Sequence, residues 1–205
     1  MGKWVLSKGY WISSNREMRI ISGNSKGKKI LDPKDLNTRP LKDLTKESIF
    51  NIIIHSNKFN AKIENSRVLD LFSGVGSFGI ECLSRGSSFT YFMENYKEVL
   101  PILKKNISNM GYEDITEVVE ENIFNFNFKI FDKRSFDIIF MDPPYKENNL
   151  FSVIDNMIKS SILNKDGIVV IHRHKKEIDK FPKQFNIVEE KTYGISKVIF
   201  GNFFK

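Results

Sequence analysis

Apolar and polar positions along this 205-residue chain follow two periods that alternate from residue 67 onward. Short apolar runs take turns with stretches of helical spacing, the mark of successive βα units. Arg67-Val-Leu-Asp-Leu-Phe72 predicts a strand ending in a glycine-rich turn, and Ser77 to Arg85 a helix stopped by Gly86. Phe89 to Met93 predicts a second strand. Lys97 to Asn109, with apolar residues at 99, 100, 102, 103 and 107 and at 110 just beyond, predicts an amphipathic helix closed by Gly111. Ile115 to Val119 and Phe136 to Met141 predict two further strands, the second followed by Pro143-Pro144 and a helix through Leu150 to Ile162. Gly167 to His172 predicts a fifth. Beyond it no helix intervenes: Phe185 to Glu190 and Lys197 to Phe203, joined by a turn around Tyr193-Gly194, predict a closing antiparallel hairpin. The sum is an α/β fold, a mainly parallel seven-stranded sheet covered by helices on both faces.

The front of the chain differs. Met18 to Ile21 and Lys28 to Leu31 flank Ser22-Gly-Asn-Ser-Lys-Gly27 and predict a small basic β-hairpin. Thr45 is placed to cap a helix through Ile54 that buries Ile49, Phe50, Ile52 and Ile53. Composition narrows the class: 40% apolar residues, including 18 Phe, exclude a wholly disordered chain. The longest apolar runs, such as Ile138 to Met141, fall far below the ~18 residues a membrane-spanning helix needs. A single cysteine, Cys82, excludes an intramolecular disulfide, and the charged N-terminus lacks a signal-peptide core, so a cytoplasmic setting is expected.

Charge then divides the chain. The formal net charge is +7, and 25 Lys, 26 Ile and 19 Asn suggest coding drift as a bland cause. Drift would spread the excess evenly, whereas residues 1–46 hold 11 basic and 4 acidic side chains and residues 47–205 hold 21 of each. A basic segment on a neutral body is the footprint of a polyanion partner, most often nucleic acid. Two regions are therefore expected: a basic extension over 1–46 that carries the charge, and a sheet domain over 47–205 that carries the chemistry.

Asp70-Leu-Phe-Ser-Gly74-Val-Gly76-Ser-Phe-Gly79 sets a G-x-G-x-x-G at a strand-to-helix junction, which points to a nucleotide-containing ligand. A dinucleotide would put its pyrophosphate at the following helix N-terminus, where Asp70 would repel it. S-adenosylmethionine, bearing an ammonium and a sulfonium, turns that carboxylate into an attraction. Glu94 closes the next strand, 18 residues after Gly76, where a carboxylate accepts hydrogen bonds from ribose hydroxyls. Asn122 follows the third strand, and its amide suits either an adenine edge or a turn.

Asp142-Pro143-Pro144-Tyr145 follows the fourth strand. Two prolines fix φ and remove two N–H donors, so the local carbonyls sit in a rigid turn. An exocyclic base amine is a poor nucleophile because its lone pair is delocalised into the ring. A carboxylate and a fixed carbonyl that accept its N–H bonds draw the nitrogen toward tetrahedral geometry and stabilise the positive charge that develops on it. Asp142 and the Pro143 carbonyl suit that task, and Tyr145 suits stacking on the base.

Met18-Arg-Ile-Ile-Ser-Gly23, Arg39-Pro40, Lys46-Glu-Ser-Ile-Phe-Asn51, Val68 through Gly79, Leu83-Ser-Arg-Gly86 and Asp142-Pro-Pro-Tyr145 together resemble the RsmD family over about residues 18 to 203. These are bacterial enzymes that methylate the N2 amine of one guanine in 16S ribosomal RNA. The resemblance implies a Rossmann-like class I methyltransferase using S-adenosylmethionine, with Asp70, Phe72, Gly74, Gly76, Glu94 and Asn122 at the cofactor. It implies Asp142, Pro143, Pro144 and Tyr145 at the target amine, and Arg19, Lys26 and Arg39 at the RNA. A monomer without metal or membrane is expected, acting on 16S rRNA or a small-subunit assembly particle. Leu41 and Leu44 stand where the family commonly carries Thr and Arg, so two polar candidates for RNA contact are lost. Residues 1–17, with Trp4, Tyr10 and Trp11, have no clear family counterpart.

His172-Arg-His174 holds two histidines at i, i+2 with no third ligand in sight, which predicts solvated loop residues rather than metal ligands. Cys82 is expected in the core. Three alternatives share some of these features: adenine-N6 methylation in DNA, methylation of a side-chain amide, and a ribosome-assembly factor without turnover.

Overall fold

The computed structural model describes residues 4–7 and 10–13 as backbone, and 18–33, 41–132, 135–144 and 149–204 in full. Arg39 and Tyr145 lie outside the described residues. Near the start, β1 (Trp4–Ser7) and β2 (Tyr10–Ser13) pair as an antiparallel two-stranded sheet. The sequence pattern did not predict this pair, because four residues are too few to establish a period of two.

The main sheet contains β3 (Arg67–Leu71), β4 (Phe89–Met93), β5 (Thr116–Val119), β6 (Phe136–Met141), β7 (Leu163–His174), β8 (Phe185–Tyr193) and β9 (Ser196–Phe203). Their order is β5-β4-β3-β6-β7-β9-β8. The first five run parallel, and β9 is antiparallel to both neighbours, so the closing hairpin forms as expected. Strand order reverses between β4-β3 and β6, the point where open α/β sheets bind ligands beyond the carboxyl ends of their strands.

Among the described residues, four α-helices flank the sheet: α1 (Asp43–His55), α2 (Ser77–Ser84), α3 (Leu100–Met110) and α4 (Leu150–Ser160). Alternate strand residues feed opposite cores. Leu69, Leu71, Ile139, Met141 and Val169 pack with α4 through Val153, Ile154 and Met157. Val68, Ile138, Phe140 and Val170 face the other way, against Ile49 and Phe50 of α1 and Phe78 of α2. Phe78 stacks on Phe140 with centroids 3.9 Å apart.

Several boundaries move. Helix α1 starts at Asp43, so Thr45 is buried in the first turn rather than capping it, and Asp43 complements the dipole instead. Helix α3 starts at Leu100 because Pro101 belongs in a first turn and disfavours helix before it. Strand β7 runs from Leu163 through His174, so His172 and His174 are strand residues and not loop residues, and His172 is buried. Strand β8 extends over Glu190-Lys191-Thr192 because pairing with β9 continues after its apolar pattern stops.

The basic turn at 18–31 is a hairpin closed by one isolated bridge, Arg19 to Lys29, without full strands. Ile20 and Ile30 bury against Ile80, Leu83 and Leu103 of α2 and α3. Polar bonds fix it as well. The Ile21 and Ser22 amides donate to the two carboxylate oxygens of buried Glu81 at 2.8 and 2.9 Å, and the Leu31 amide donates to Asn106 Oδ1. Gly23, at φ +84°, has Ser84 O only 1.7 Å from where a Cβ would stand, so no other residue permits this docking.

Candidate active site

Three carboxylates gather at the carboxyl edge of the sheet: Asp70 near the end of β3, Glu94 after β4 and Asp142 after β6. Asp70 is buried, and its Oδ2 accepts the Gly79 amide at 2.9 Å. Its Oδ1 has no partner among the described residues. Burial pushes the Asp70 carboxyl well above the ordinary carboxylate range, the Gly79 amide opposes that, and Asp142 and Glu94 reinforce it. A buried acceptor without a donor is costly, and this one stands at the glycine turn where a cationic ligand would satisfy it.

The turn is shaped by backbone that side chains resist. Phe72, Gly74 and Gly76 take φ of 59°, 54° and 84°. Gly76 heads α2 in the left-handed region, where a Cβ would meet Leu103 Cδ1 at 2.6 Å. Gly79 lets α2 lie directly on β4, since a Cβ there would stand 2.4 Å from Phe92 Cε1. Glu94 braces the turn: its Oε2 accepts the Gly74 amide and its Oε1 accepts the Asn95 and Tyr96 amides, all at 2.8 Å. Oε2 keeps a lone pair for a further donor.

Asn122 is exposed, and its Oδ1 accepts the Phe124 amide at 3.0 Å, forming a local turn that leaves the Nδ2 donors outward. The Phe124 ring lies 5.6 Å from that of Phe72, so the glycine turn and the Asn122 turn adjoin. Asp70, Phe72, Gly74, Gly76, Glu94 and Asn122 thus adjoin through the Asp70–Gly79, Glu94–Gly74 and Phe72–Phe124 contacts around the glycine turn.

Asp142 continues β6 toward the same edge, with its amide 3.4 Å from the Leu71 carbonyl. Pro143 is buried and Pro144 exposed. Two contacts here went unpredicted. His172 Nδ1 lies 2.8 Å from Asp142 Oδ1, and Arg173 Nη1 donates to the Pro144 carbonyl at 3.1 Å. The signal that finds them is the parallel register, which sets Ile171 beside Met141 and so His172 beside Asp142.

On the RNA-candidate side, Arg19 and Lys26 are exposed on the docked hairpin. Lys46, counted with the basic segment, is fully buried: its Nζ donates to the Arg19 carbonyl at 3.0 Å and to Ser77 Oγ at 3.2 Å, and lies 3.6 Å from Glu81. Desolvation lowers its pKa although Glu81 and Asp43 oppose the shift. Cys82 is buried as expected, and burial raises its thiol pKa, as suits an inert core residue. Among the described residues, no three His, Cys, Asp or Glu side chains group as a metal would require, and no helix is long and apolar enough to cross a membrane.

Comparison with known proteins identifies the family and the fold. Ribosomal RNA small subunit methyltransferase D of Buchnera aphidicola is 33% identical over 177 residues, spanning 86% of this chain and 88% of that one. The protein of the same name from Haemophilus influenzae is 30% identical over 180 residues, 87% and 90% of the two chains. Among solved structures, yhhF from Escherichia coli superposes with a TM-score of 0.76 at 23% identity, covering 92% of this chain and 99% of that one, which shows the Rossmann-like methyltransferase fold. The family described as "Conserved hypothetical protein 95" matches residues 18–202. The chain belongs to that family, the RsmD family.

Proposed function

We propose that this protein transfers a methyl group from S-adenosylmethionine to the exocyclic N2 amine of a guanine in 16S ribosomal RNA. The observation that carries this reading is the placement, at the carboxyl ends of adjacent strands β3 and β6, of a buried carboxylate with an oxygen lacking a partner among the described residues and a carboxylate set before two prolines. The names of the relatives support the substrate.

The residues fit the cofactor. Asp70 Oδ1 would take a cationic N–H, the Gly74-Val-Gly76 turn would allow close approach, Glu94 Oε2 would accept a ribose hydroxyl, and Asn122 Nδ2 and Phe72 would meet the adenine. When bound, S-adenosylmethionine would supply a sulfonium-activated methyl group with a neutral thioether as its leaving group. Asp142 accepts one amine N–H and the Pro143 carbonyl accepts the other, which frees the nitrogen lone pair. The surplus proton leaves toward the Asp142 carboxylate. Tyr145 would stack on the base. Arg19, Lys26 and Arg39 would meet phosphates, with residues 1–46 as the RNA-gripping extension and 47–205 as the catalytic domain. The protein would act as a cytoplasmic monomer on free 16S rRNA or an assembly particle, and sedimentation with each RNA form measures that stoichiometry.

Incubation with tritiated cofactor and unmethylated small-subunit RNA tests the reading. Label is expected in RNA, and Asp142→Ala should lower its rate about 10²-fold or more. Label entering only DNA or protein, or an Asp142→Ala variant of undiminished rate, would sink it.

A further inference from the structure

His172 and Arg173 are neighbours on β7, so their side chains leave opposite faces of the sheet. Both nevertheless end on the turn that follows β6. His172 Nδ1 meets Asp142 Oδ1 at 2.8 Å, with side-chain exposures of 8% and 19%. If Asp142 is the acceptor that the proposed reaction needs, the donor of this contact is Nδ1–H of His172. The other ring nitrogen, Nε2, is buried without a partner among the described residues.

Arg173 is fully buried. Its Nη1 donates to the Pro144 carbonyl at 3.1 Å, while Nε and Nη2 engage Asp179 at 3.0 and 2.9 Å. Asp179 is also 3.8 Å from Lys197 of β9, whose Nζ donates to the Glu177 carbonyl at 2.6 Å. A buried guanidinium is tolerated only when paired, and Asp179 provides that pairing. A further donor of the same rigid fork is thereby aimed at a carbonyl in the Asp142-Pro143-Pro144 turn.

We propose that His172 and Arg173 are positioning residues, a two-point clamp that sets the Asp142 carboxylate plane and the Pro143-Pro144 backbone for the incoming amine. The inference rests on the reading of Asp142 as the amine's acceptor. Proline fixes φ but leaves ψ free, and a carboxylate turns easily about its terminal torsion. The prolines alone therefore do not orient either acceptor. The hydrogen bond on Oδ1 stops the carboxylate from turning and leaves Oδ2 for the amine. The bond on the Pro144 carbonyl anchors Pro144, and because the Pro144 nitrogen shares a peptide plane with the Pro143 carbonyl, this anchor limits how far that carbonyl can turn. Methyl transfer is sensitive to such placement, since misplacing a reacting group by 1 Å costs about 10²-fold in rate.

The test compares His172→Asn with His172→Gln. Both are polar, but the Asn amide reaches the position of Nδ1, whereas the Gln amide reaches that of Nε2. Initial rates on unmethylated small-subunit RNA should give His172→Asn a kcat within about threefold of wild type and His172→Gln a kcat lower by about 30-fold or more, with RNA KM and cofactor Kd changed less than about twofold. Arg173→Lys, which keeps the charge and loses the fork, should also lower kcat selectively. Equal rates for the Asn and Gln variants, or losses that track cofactor affinity, would overturn the clamp. Nitrogen-15 spectra of histidine-labelled protein read the geometry independently of the reaction: the proton should sit on His172 Nδ1, and a spectrum with Nε2 alone protonated would also overturn it. A wild-type chain active on RNA with His172→Gln unimpaired removes the clamp alone. A wild-type chain inactive on RNA while Nδ1 is protonated removes the reading of the reaction and, with it, the clamp's purpose.

Discussion

Asp70 carries a cost to stability that its proposed role at the cofactor would explain. Its carboxyl titrates well above the ordinary range because burial penalises the charged form, with Asp142 and Glu94 adding repulsion against the Gly79 hydrogen bond. Between the ordinary carboxylate range and that raised value, the folded chain holds a proton the unfolded chain has released. Stability from this residue therefore falls as pH rises through that window. Asp70→Asn keeps an acceptor for Gly79 and removes the charge, so it should unfold at a higher temperature than wild type at pH 8 while binding S-adenosylmethionine at least about tenfold more weakly. Calorimetric unfolding and titration check both halves, and a lower unfolding temperature would contradict the first. Wild-type affinity should also rise with pH across the window, a trend Asp70→Asn should lack. The sequence pointed to Asp70 through its place before the glycines, a local pattern. His172 could not be read the same way, because counting metal ligands along the chain ignores its cross-strand partner, which only the β6–β7 register reveals.

At the scale of elements, α2 links the two halves of the proposed site. Its N-terminus carries the Gly74-Val-Gly76 turn, its Gly79 rests on β4, and its Glu81 holds the Ile21 and Ser22 amides together with Lys46 and Arg85. Glu81→Ala would leave Lys46 buried without its partner and free the hairpin, at a cost of about 3–5 kcal/mol in denaturant unfolding. A loss below about 1 kcal/mol would mean that the hairpin docks through Ile20 and Ile30 alone. Strands β3, β4 and β6 were legible almost to the residue, because strands buried on both faces must read as apolar runs. The extension of β7 back to Leu163, the continuation of β8 through polar residues and the β1–β2 pair were not, since neighbouring strands and not their own composition sustain them.

For the whole molecule, the net charge of +7 resolves into a local feature with one exception. Lys46 belongs to the basic segment by position and to the core by structure. The hairpin is bolted to α2 and α3, so deleting residues 1–46 would strip partners from Glu81 and Asn106 as well as charge. Surface reversal separates the two effects. Arg19→Glu with Lys26→Glu should weaken RNA binding and flatten its salt dependence by roughly one unit of slope per lost phosphate contact, leaving cofactor affinity unchanged. Filter binding across a salt series measures this, and an unchanged slope would move the RNA surface elsewhere.

The most direct measurement of the central claim is nucleoside mass spectrometry of unmethylated 16S ribosomal RNA after incubation with the protein and S-adenosylmethionine, beside an Asp142→Ala control. The account predicts N2-methylguanosine approaching one per RNA, confined to a single position and strongly reduced in the control. Methyl groups on adenine N6, on many guanines, or at equal yield with Asp142→Ala would contradict it.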